Sequence, residues 1–493
     1  MNALGFDTAQ LGLAAPLCIV SIGGLVLLML EAFSRERGPR THLAALTLVV
    51  LGLAALAFVR SWSAPPQAIF HSMLVVDRFS TFIGLLILVG AGLAVGLAGG
   101  FMREQRFEFG EFYALVLLAT SGMLTLVQAA DLVSLFIGLE TMSLAVYVLT
   151  GSWRRNAKSS EAAMKYFLVG AFASALLIYG IALVYGVGGS TNLAAIGALE
   201  TPEISDPVFL IGALFIFIAL AFKIAAVPFH MWAPDAYEGA PTPVTAFMAA
   251  TVKAAGFGAL LRLVATAFAR PELTLGSNGW VPLVSILAIA TMTLGNVAAL
   301  RQESVKRLLA YSSIAHAGYL LVGVAALGLI GPEARGPILY YLAAYTLTTV
   351  GSFGIVAWYG THGDERHSLD DWAGLATAHP AGALAMTLLL LSLGGIPPTA
   401  GFFGKFYLFK VALGSPALLP LILVAVANSL ISVFYYLRVV TAMYFREELR
   451  PVTVVRSTGM TVTLWIATFG TLALGLFPGW LVDLATQASL FVK

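Results

Sequence analysis

Charge is the scarcest thing in this chain. Only 11% of its 493 residues are Asp, Glu, Lys or Arg, against 59% hydrophobic, where a soluble domain carries roughly 25% charged residues. That excludes an ordinary soluble fold. Cysteine is nearly missing too. The single Cys18 lies inside the first apolar run, which excludes disulfides, iron–sulfur ligation and a thiolate zinc site within the chain. The histidines are few and no two stand at ligand spacing on one helix, so no metal is implied. There is no phosphate-cradling glycine loop between a strand and a helix, and no flavin or haem pattern. Gly90, Gly92, Gly96 and Gly100 instead lie within an apolar helix, where small residues let helices approach closely. A net charge of +2 gives no reason to expect nucleic acid. No cleavable signal peptide is expected, because the N-terminus lacks a basic region and the first apolar run is long enough to span.

What the chain has in abundance is long apolar runs. About fourteen reach the roughly 20 residues that a bilayer crossing needs. They fall near 11–33, 41–60, 79–101, 111–130, 132–151, 162–187, 207–228, 241–268, 279–300, 308–330, 337–359, 380–411, 417–445 and 458–484. The fold class is therefore all-α and polytopic. Lys and Arg crowd the odd-numbered connections, at Arg35, Arg37 and Arg40, at Arg103 and Arg106, at Arg154 and Arg155, and at Arg446, Arg450 and Arg456. Those connections should face the cytoplasm, with both termini on the opposite side. The linker 188–207 reads as an external loop with one short amphipathic piece. The polar stretch 361–380 reads as a solvated cytoplasmic loop.

One stretch breaks the apolar monotony. Residues 222–253 hold Lys223, Pro228, His230 and Lys253 between two long apolar runs. An ammonium deep in a bilayer costs about 2.5–3.5 kcal/mol even on a lenient insertion scale. Pro228 breaks the helical ladder beside the first lysine and frees backbone groups that need partners. Charges next to broken helices at mid-membrane are how ion paths are built. The bland alternative, a lysine snorkelling to the headgroups, fits poorly with apolar sequence on both sides.

Other ionisable residues extend the pattern. Glu140 sits in the middle of its segment, as a partner for a cation or as a protonatable relay. Burial favours a neutral amine and a nearby carboxylate favours an ammonium. A lysine held between those influences can take up and release a proton, which an arginine cannot. His230 and His316 titrate near neutrality and could pass a proton between lysines, or could be purely structural. Lys405 follows a second break at Gly395-Ile-Pro-Pro398. Lys165 and Lys306 lie near cytoplasmic segment ends, where snorkelling is the default and a part in proton uptake or the axial chain of charges is the alternative.

A faint internal repeat is visible. Glu140 to Gly151 resembles Ser312 to Gly323, and Tyr166 to Ser174 resembles Tyr341 to Thr349. Units starting near 111 and 279 each hold five segments with a break at the fourth. An odd segment number makes the second unit inverted, which is a transporter pattern. The expected divisions are a three-helix segment over 1–110, a first repeat over 111–268, a second over 279–445 and a final helix over 457–493.

The stretch from Lys223 through Pro228-Phe-His230-Met-Trp-Ala-Pro-Asp-Ala-Tyr-Glu-Gly-Ala-Pro-Thr-Pro243 to Lys253 resembles the proton-translocating module of the antiporter-like subunits of respiratory complex I, the NADH-quinone oxidoreductase, and of related cation/proton antiporters. Lys306 to Tyr319 and Gly395 to Phe406 are similar to the subunit N branch in particular; the subunit M branch typically has glutamate where this chain has Lys405. The resemblance covers essentially the whole chain. It implies fourteen transmembrane helices, with two inverted five-helix units. It implies proton transfer through Glu140, Lys223, Lys253 and Lys405, with His230 and His316 as possible relays. It also implies neighbouring membrane subunits in a bacterial inner membrane, and that NADH, flavin (FMN), Fe–S clusters and quinone are bound by partner subunits. The competing expectations are a subunit of a stand-alone multisubunit antiporter, and a scaffold that moves no proton. Buried lysines argue against the scaffold, which would be more stable with leucine in their place.

Overall fold

A computed structural model describes residues 8–34, 38, 40–275, 279–362, 364–449 and 453–488. Arg35, Arg37 and Arg450 of the basic connections lie outside the described residues, as do both chain ends. The long apolar runs are helices. In chain order they are α1 (Ala15–Phe33), α2 (Thr41–Ser61), α3 (Arg78–Glu104), α4 (Glu111–Gln128), α5 (Leu132–Thr150), α6 (Ala157–Gly188), α7 (Pro207–Lys223) and α8 (Trp232–Gly239). There follow α9 (Thr242–Thr266), then α10 (Trp280–Leu300), α11 (Val305–Ile330), α12 (Arg335–Trp358), α13 (Pro380–Gly394), α14 (Ala400–Ala412), α15 (Leu419–Phe445), α16 (Thr458–Leu476) and α17 (Gly479–Gln487). Among the described residues twelve helical stretches are long and apolar enough to cross a membrane, and α7 and α13 are shorter apolar helices.

Helix starts follow polar caps rather than the first apolar residue. Asn156 caps α6 by accepting from Lys158 N at 3.0 Å, and Ser304 caps α11 by accepting from Arg307 N at 3.2 Å. Both helices therefore begin earlier than their apolar runs, and Lys306 falls in the first turn of α11. A side-chain oxygen on an orphan N–H is what makes these positions starts. The run expected at 458–484 is not one helix: it stops at Leu476, and Pro478 precedes the separate α17. A proline there lacks the N–H that a continuing helix needs.

Three connections hold ordered structure. A small antiparallel hairpin pairs β1 (Gln67–Ile69) with β2 (Leu74–Val76), Gln67 opposite Val76. The linker 188–207, expected to hold one short amphipathic piece, holds two short helices, Leu193–Gly197 and Thr201–Ile204. The stretch 361–380 is not simply solvated. Val305 N donates to His367 O and Leu369 N to Glu303 O, each at 2.7 Å, and Leu369 and Trp372 are buried. Backbone bonds and two apolar side chains dock it on the start of α11.

Helix α9 is buried from Thr242 to Val264, and α11 and α12 are buried over most of their length, while α1, α2, α6 and α15 expose much of their surface. The first three form the centre and the others lie at the periphery of the bundle. Small residues permit the tight crossings. A Cβ on Gly122 of α4 would lie 2.3 Å from Met142 N of α5, and one on Gly295 of α10 would lie 2.6 Å from Ala315 N of α11.

The two breaks are closed by the same cap. After α7, Ala225 N bonds Phe222 O at 3.0 Å and Ala226 N bonds Ala221 O at 2.8 Å. After α13, Gly395 N bonds Ser392 O and Ile396 N bonds Leu391 O, both at 3.0 Å. This is the Schellman arrangement, which needs a left-handed residue at its corner. Ala225 has φ 58° and Gly395 φ 81°. Glycine holds that conformation without strain and alanine does not. Ala225→Gly is therefore expected to raise stability by about 1 kcal/mol. Gly395→Ala is expected to lower it by more, since its Cβ would also lie 2.9 Å from Lys405 Cδ. Thermal unfolding of the two variants should shift in opposite directions.

Candidate functional site

Lys223 is the last residue of α7 and is 2% exposed. Its Nζ donates to Ser143 Oγ at 2.6 Å and to Tyr147 OH at 3.2 Å. The rings of Tyr147 and Phe222 lie 5.2 and 5.3 Å away, within the range where an aromatic face attracts a cation. Glu140, Ser143 and Tyr147 are three and four residues apart on α5, so they share one face. Glu140 accepts a hydrogen bond from Ser174 of α6. The carboxylate and the ammonium are therefore neighbours at one helical turn rather than in contact. The Ser143 and Tyr147 hydroxyls take up the amine's donors.

Lys253 follows directly. Its helix, α9, contains a π-helical turn over Met248–Val252, immediately before the lysine. Such turns shift the register of the side chains that follow and recur at functional sites. Lys253 is 2% exposed. Its Nζ donates to Ser313 Oγ and to Ser313 O of α11, and the Tyr345 hydroxyl of α12 donates to the same Ser313 Oγ at 2.8 Å. Gly256, one turn beyond Lys253, presses on α7: a Cβ there would lie 3.8 Å from Lys223 Cβ. The glycine brings the helices that carry the first two lysines together.

From Ser313 the polar line continues along α11. His316 is one turn on and buried. Its Nδ1 is 2.6 Å from Tyr341 OH and its Nε2 3.3 Å from Tyr436 OH, and Tyr436 is also bonded to Ser312. One more turn reaches Tyr319, whose ring lies 4.8 Å from Lys405 Nζ. Lys405 of α14 is 5% exposed. It donates to Ser429 Oγ of α15 at 2.9 Å and to Gly394 O at 3.0 Å. Gly394 closes α13, so this ammonium sits at the carbonyl pole of the first half of a broken helix. That end of a helix favours positive charge.

Three other expected residues stand apart from the line. His230, between α7 and α8, is half-buried and its Nδ1 has no protein partner; no hydrogen bond joins it to either lysine among the described residues. Lys165 is 48% exposed and pairs with Glu161 at 2.7 Å and Asp235 at 2.8 Å, in keeping with a lysine near a headgroup surface. Lys306 departs from its default. It is buried and donates to Ala240 O at the end of α8 at 2.6 Å, because the early start of α11 turns it inward. Arg307 completes this end of the bundle, with Asp235 at 2.9 Å and Glu238 at 2.8 Å.

Sequence reasoning did not single out Ser143, Ser313, Tyr341, Tyr436 or Ser429. The signal was present in part. Ser143 is three residues from Glu140, and Ser313 three from His316, so each shares a helix face with an ionisable residue. The partners on other helices had no local signal. A hydroxyl both donates and accepts, so each of these groups can accept a bond from the amine or share one with the imidazole it touches and still donate another. Among the described residues no cluster of His, Cys, Asp and Glu could hold a metal ion.

Comparison with known proteins places this architecture. Residues 129–432 match the family model described as NADH:quinone oxidoreductase/Mrp antiporter, transmembrane. The NADH-quinone oxidoreductase subunit N 1 of Sorangium cellulosum is 46% identical, over 97% of this chain and 98% of that protein. A chain of respiratory complex I from Thermus thermophilus superposes with a TM-score of 0.80 at 35% identity, covering 96% of this chain and 99% of that one. A chain of the Mrp complex from Dietzia sp. shares the fold, with a TM-score of 0.82 at 24% identity over 97% of both. With its central helices carrying that line of amines, and with full-length likeness to subunit N proteins, the chain belongs to the NADH:quinone oxidoreductase/Mrp antiporter family of membrane subunits.

Proposed function

We propose that the chain is a proton-translocating membrane subunit of an NADH-quinone oxidoreductase. It moves protons from cytoplasm to periplasm while electron transfer from NADH to quinone proceeds in partner subunits, which carry the flavin, the iron–sulfur clusters and the quinone. The observation that carries the reading is the run of three lysines, each no more than 5% exposed and each bonded to a serine hydroxyl of another helix. Ammonium groups so placed are costly unless they serve a purpose, and burial makes their protonation sensitive to neighbouring charge.

In this reading Glu140 and Lys223 form the cytoplasmic half of the path. Lys253 and His316 bridge the centre and Lys405 leads to the exit. His230 is a further possible relay between the lysines, and Lys165 and Lys306 belong to the uptake side. The path runs through two inverted five-helix units, 111–268 and 279–445, flanked by the segments 1–110 and 457–493. The matched Schellman caps at Ala225 and Gly395 support the pairing of the units. The basic connections support a periplasmic side for both termini.

The test uses the assembled complex in sealed vesicles. Glu140→Ala and Lys223→Ala should each lower proton pumping by about a hundredfold, the scale of a lost acid–base group, and lower the coupled quinone reduction with it. Full pumping in both variants would overturn the assignment. A subunit of a stand-alone antiporter is the competing reading, and co-purification with hydrophilic flavin and iron–sulfur subunits separates the two.

A further inference from the structure

We propose that a groove between α2, α3 and α16 binds the phosphate of an anionic phospholipid, with an acyl chain along the groove's apolar floor. The groove has a volume of about 730 Å³ and lies at the end of the bundle where α2 and α16 begin and α3 ends. Glycines on α3 bring the start of α16 against it. A Cβ on Gly100 would strike Ser457 Cβ at 2.4 Å, and one on Gly96 would strike Thr463 Oγ1 at 2.2 Å.

Four features of the rim suit a phosphate. Arg103 and Arg456 stand on it. The first turns of α2 and α16 open onto it, and neither helix has a side-chain cap, so backbone N–H groups and the positive pole of each helix face the groove. Tyr113 lines it, is 0% exposed, and its hydroxyl has no hydrogen-bond partner in the protein. That hydroxyl and the Arg103 guanidinium converge: a Cβ built on Gly99 would lie 3.3 Å from Tyr113 OH and 3.7 Å from Arg103 Nη2. A buried polar group without a partner is unfavourable, and a phosphate oxygen between tyrosine and arginine would complete both.

Acidic groups are present as well. Glu104 lines the groove, and Glu108 lies 3.9 Å from Arg103 Nε. Among the lining residues Arg103 and Arg456 still outnumber Glu104, so the rim favours an anionic headgroup. The floor decides for a lipid over a soluble anion. Ala44, Leu48 and Val95 line it, and Leu48 is 44% exposed, on a helix face turned to the bilayer. Basic residues at a membrane surface attract anionic headgroups, and an apolar channel below them holds the chain.

The experiment is photolabelling of the assembled complex in nanodiscs that contain either diazirine-bearing phosphatidylglycerol or the same label on phosphatidylcholine. Peptides covering 41–48, 95–113 and 455–460 should take up about fivefold more phosphatidylglycerol, the weight of one basic contact to an anionic headgroup. Arg103→Gln with Arg456→Gln should reduce that labelling to the phosphatidylcholine level. Tyr113→Phe, a smaller change that keeps the ring packing, should lower it in part even if the double variant fails to assemble. Equal labelling by the two lipids, no labelling of these peptides, or labelling unchanged in Tyr113→Phe would overturn the proposal. Protection by excess inorganic phosphate as complete as that by unlabelled phosphatidylglycerol would mean a soluble-anion site and would overturn the lipid assignment.

Discussion

Asp77→Ala is expected to destabilise the protein by about 3–5 kcal/mol, the penalty for leaving one member of a buried ion pair without its partner. Asp77 does two jobs at once. It caps α3, with Oδ1 accepting from Ser80 N at 2.7 Å while Ser80 Oγ accepts from Asp77 N at 3.1 Å. It also binds Arg262 of α9 through both carboxylate oxygens, at 3.0 and 3.1 Å. The two side chains are 0% and 3% exposed. Arg262 Nε donates to Val127 O near the end of α4 at 3.0 Å, and the Phe79 ring lies 5.1 Å from the guanidinium. The pair thus ties the buried α9 to the start of α3 and the end of α4. Removing the carboxylate takes the bidentate partner from a guanidinium that is only 3% exposed. Thermal unfolding of purified Asp77→Ala should show the loss. Asp77→Asn, which keeps the cap and loses the charge, should fall between the two. Asp77→Ala combined with Arg262→Met should recover much of the stability, because an apolar pair of similar volume replaces an ion pair at little net cost. A double variant no more stable than Asp77→Ala would mean that the cap, not the ion pair, holds this corner.

That ion pair shows what a sequence can and cannot reveal. Asp77 stands just before one apolar run and Arg262 inside another, 185 residues away. Nothing local pairs them. The long helices were legible because apolar length alone decides whether a segment crosses a membrane. The breaks were legible because proline and paired glycine interrupt a helix whatever surrounds them. Lys223, Lys253 and Lys405 were found because a buried amine is costly wherever it pairs, and all three are buried here. Their partners were not legible. Ser313 and Tyr345 meet Lys253 from two other helices, and the Ser143 and Tyr147 hydroxyls, rather than the Glu140 carboxylate, take the Lys223 amine. The π-turn at Met248–Val252 leaves no compositional trace, since Ala, Thr and Val serve equally well in an α-helix there. Lys306 was misjudged for a different reason: the apolar run begins after it, but the Ser304 cap places it inside the helix.

On the proposed reading, Lys253→Arg should abolish pumping almost as completely as Lys253→Met, each by about a hundredfold in the assembled complex. The comparison turns on what arginine retains. Its guanidinium keeps the positive charge and can still donate to Ser313, but it does not release its proton in a protein. If Lys253 served only as a fixed charge that orders Ser313 and Tyr345, arginine would preserve much of the activity and methionine would lose it. If the lysine must shed a proton toward His316, both fail together. Ser313→Ala adds the second half of the test. Ser313 Oγ accepts from Lys253 and from Tyr345 OH, so its loss breaks the connection while leaving the amine in place. A fall of about tenfold is expected, the scale of one hydrogen bond to a charged group. Proton uptake by vesicles, measured beside quinone reduction by the same vesicles, separates slowed translocation from a complex that did not assemble. Wild-type pumping in Lys253→Arg would show that the amine at the centre of the bundle need not change its protonation state, and the path would then have to run around it.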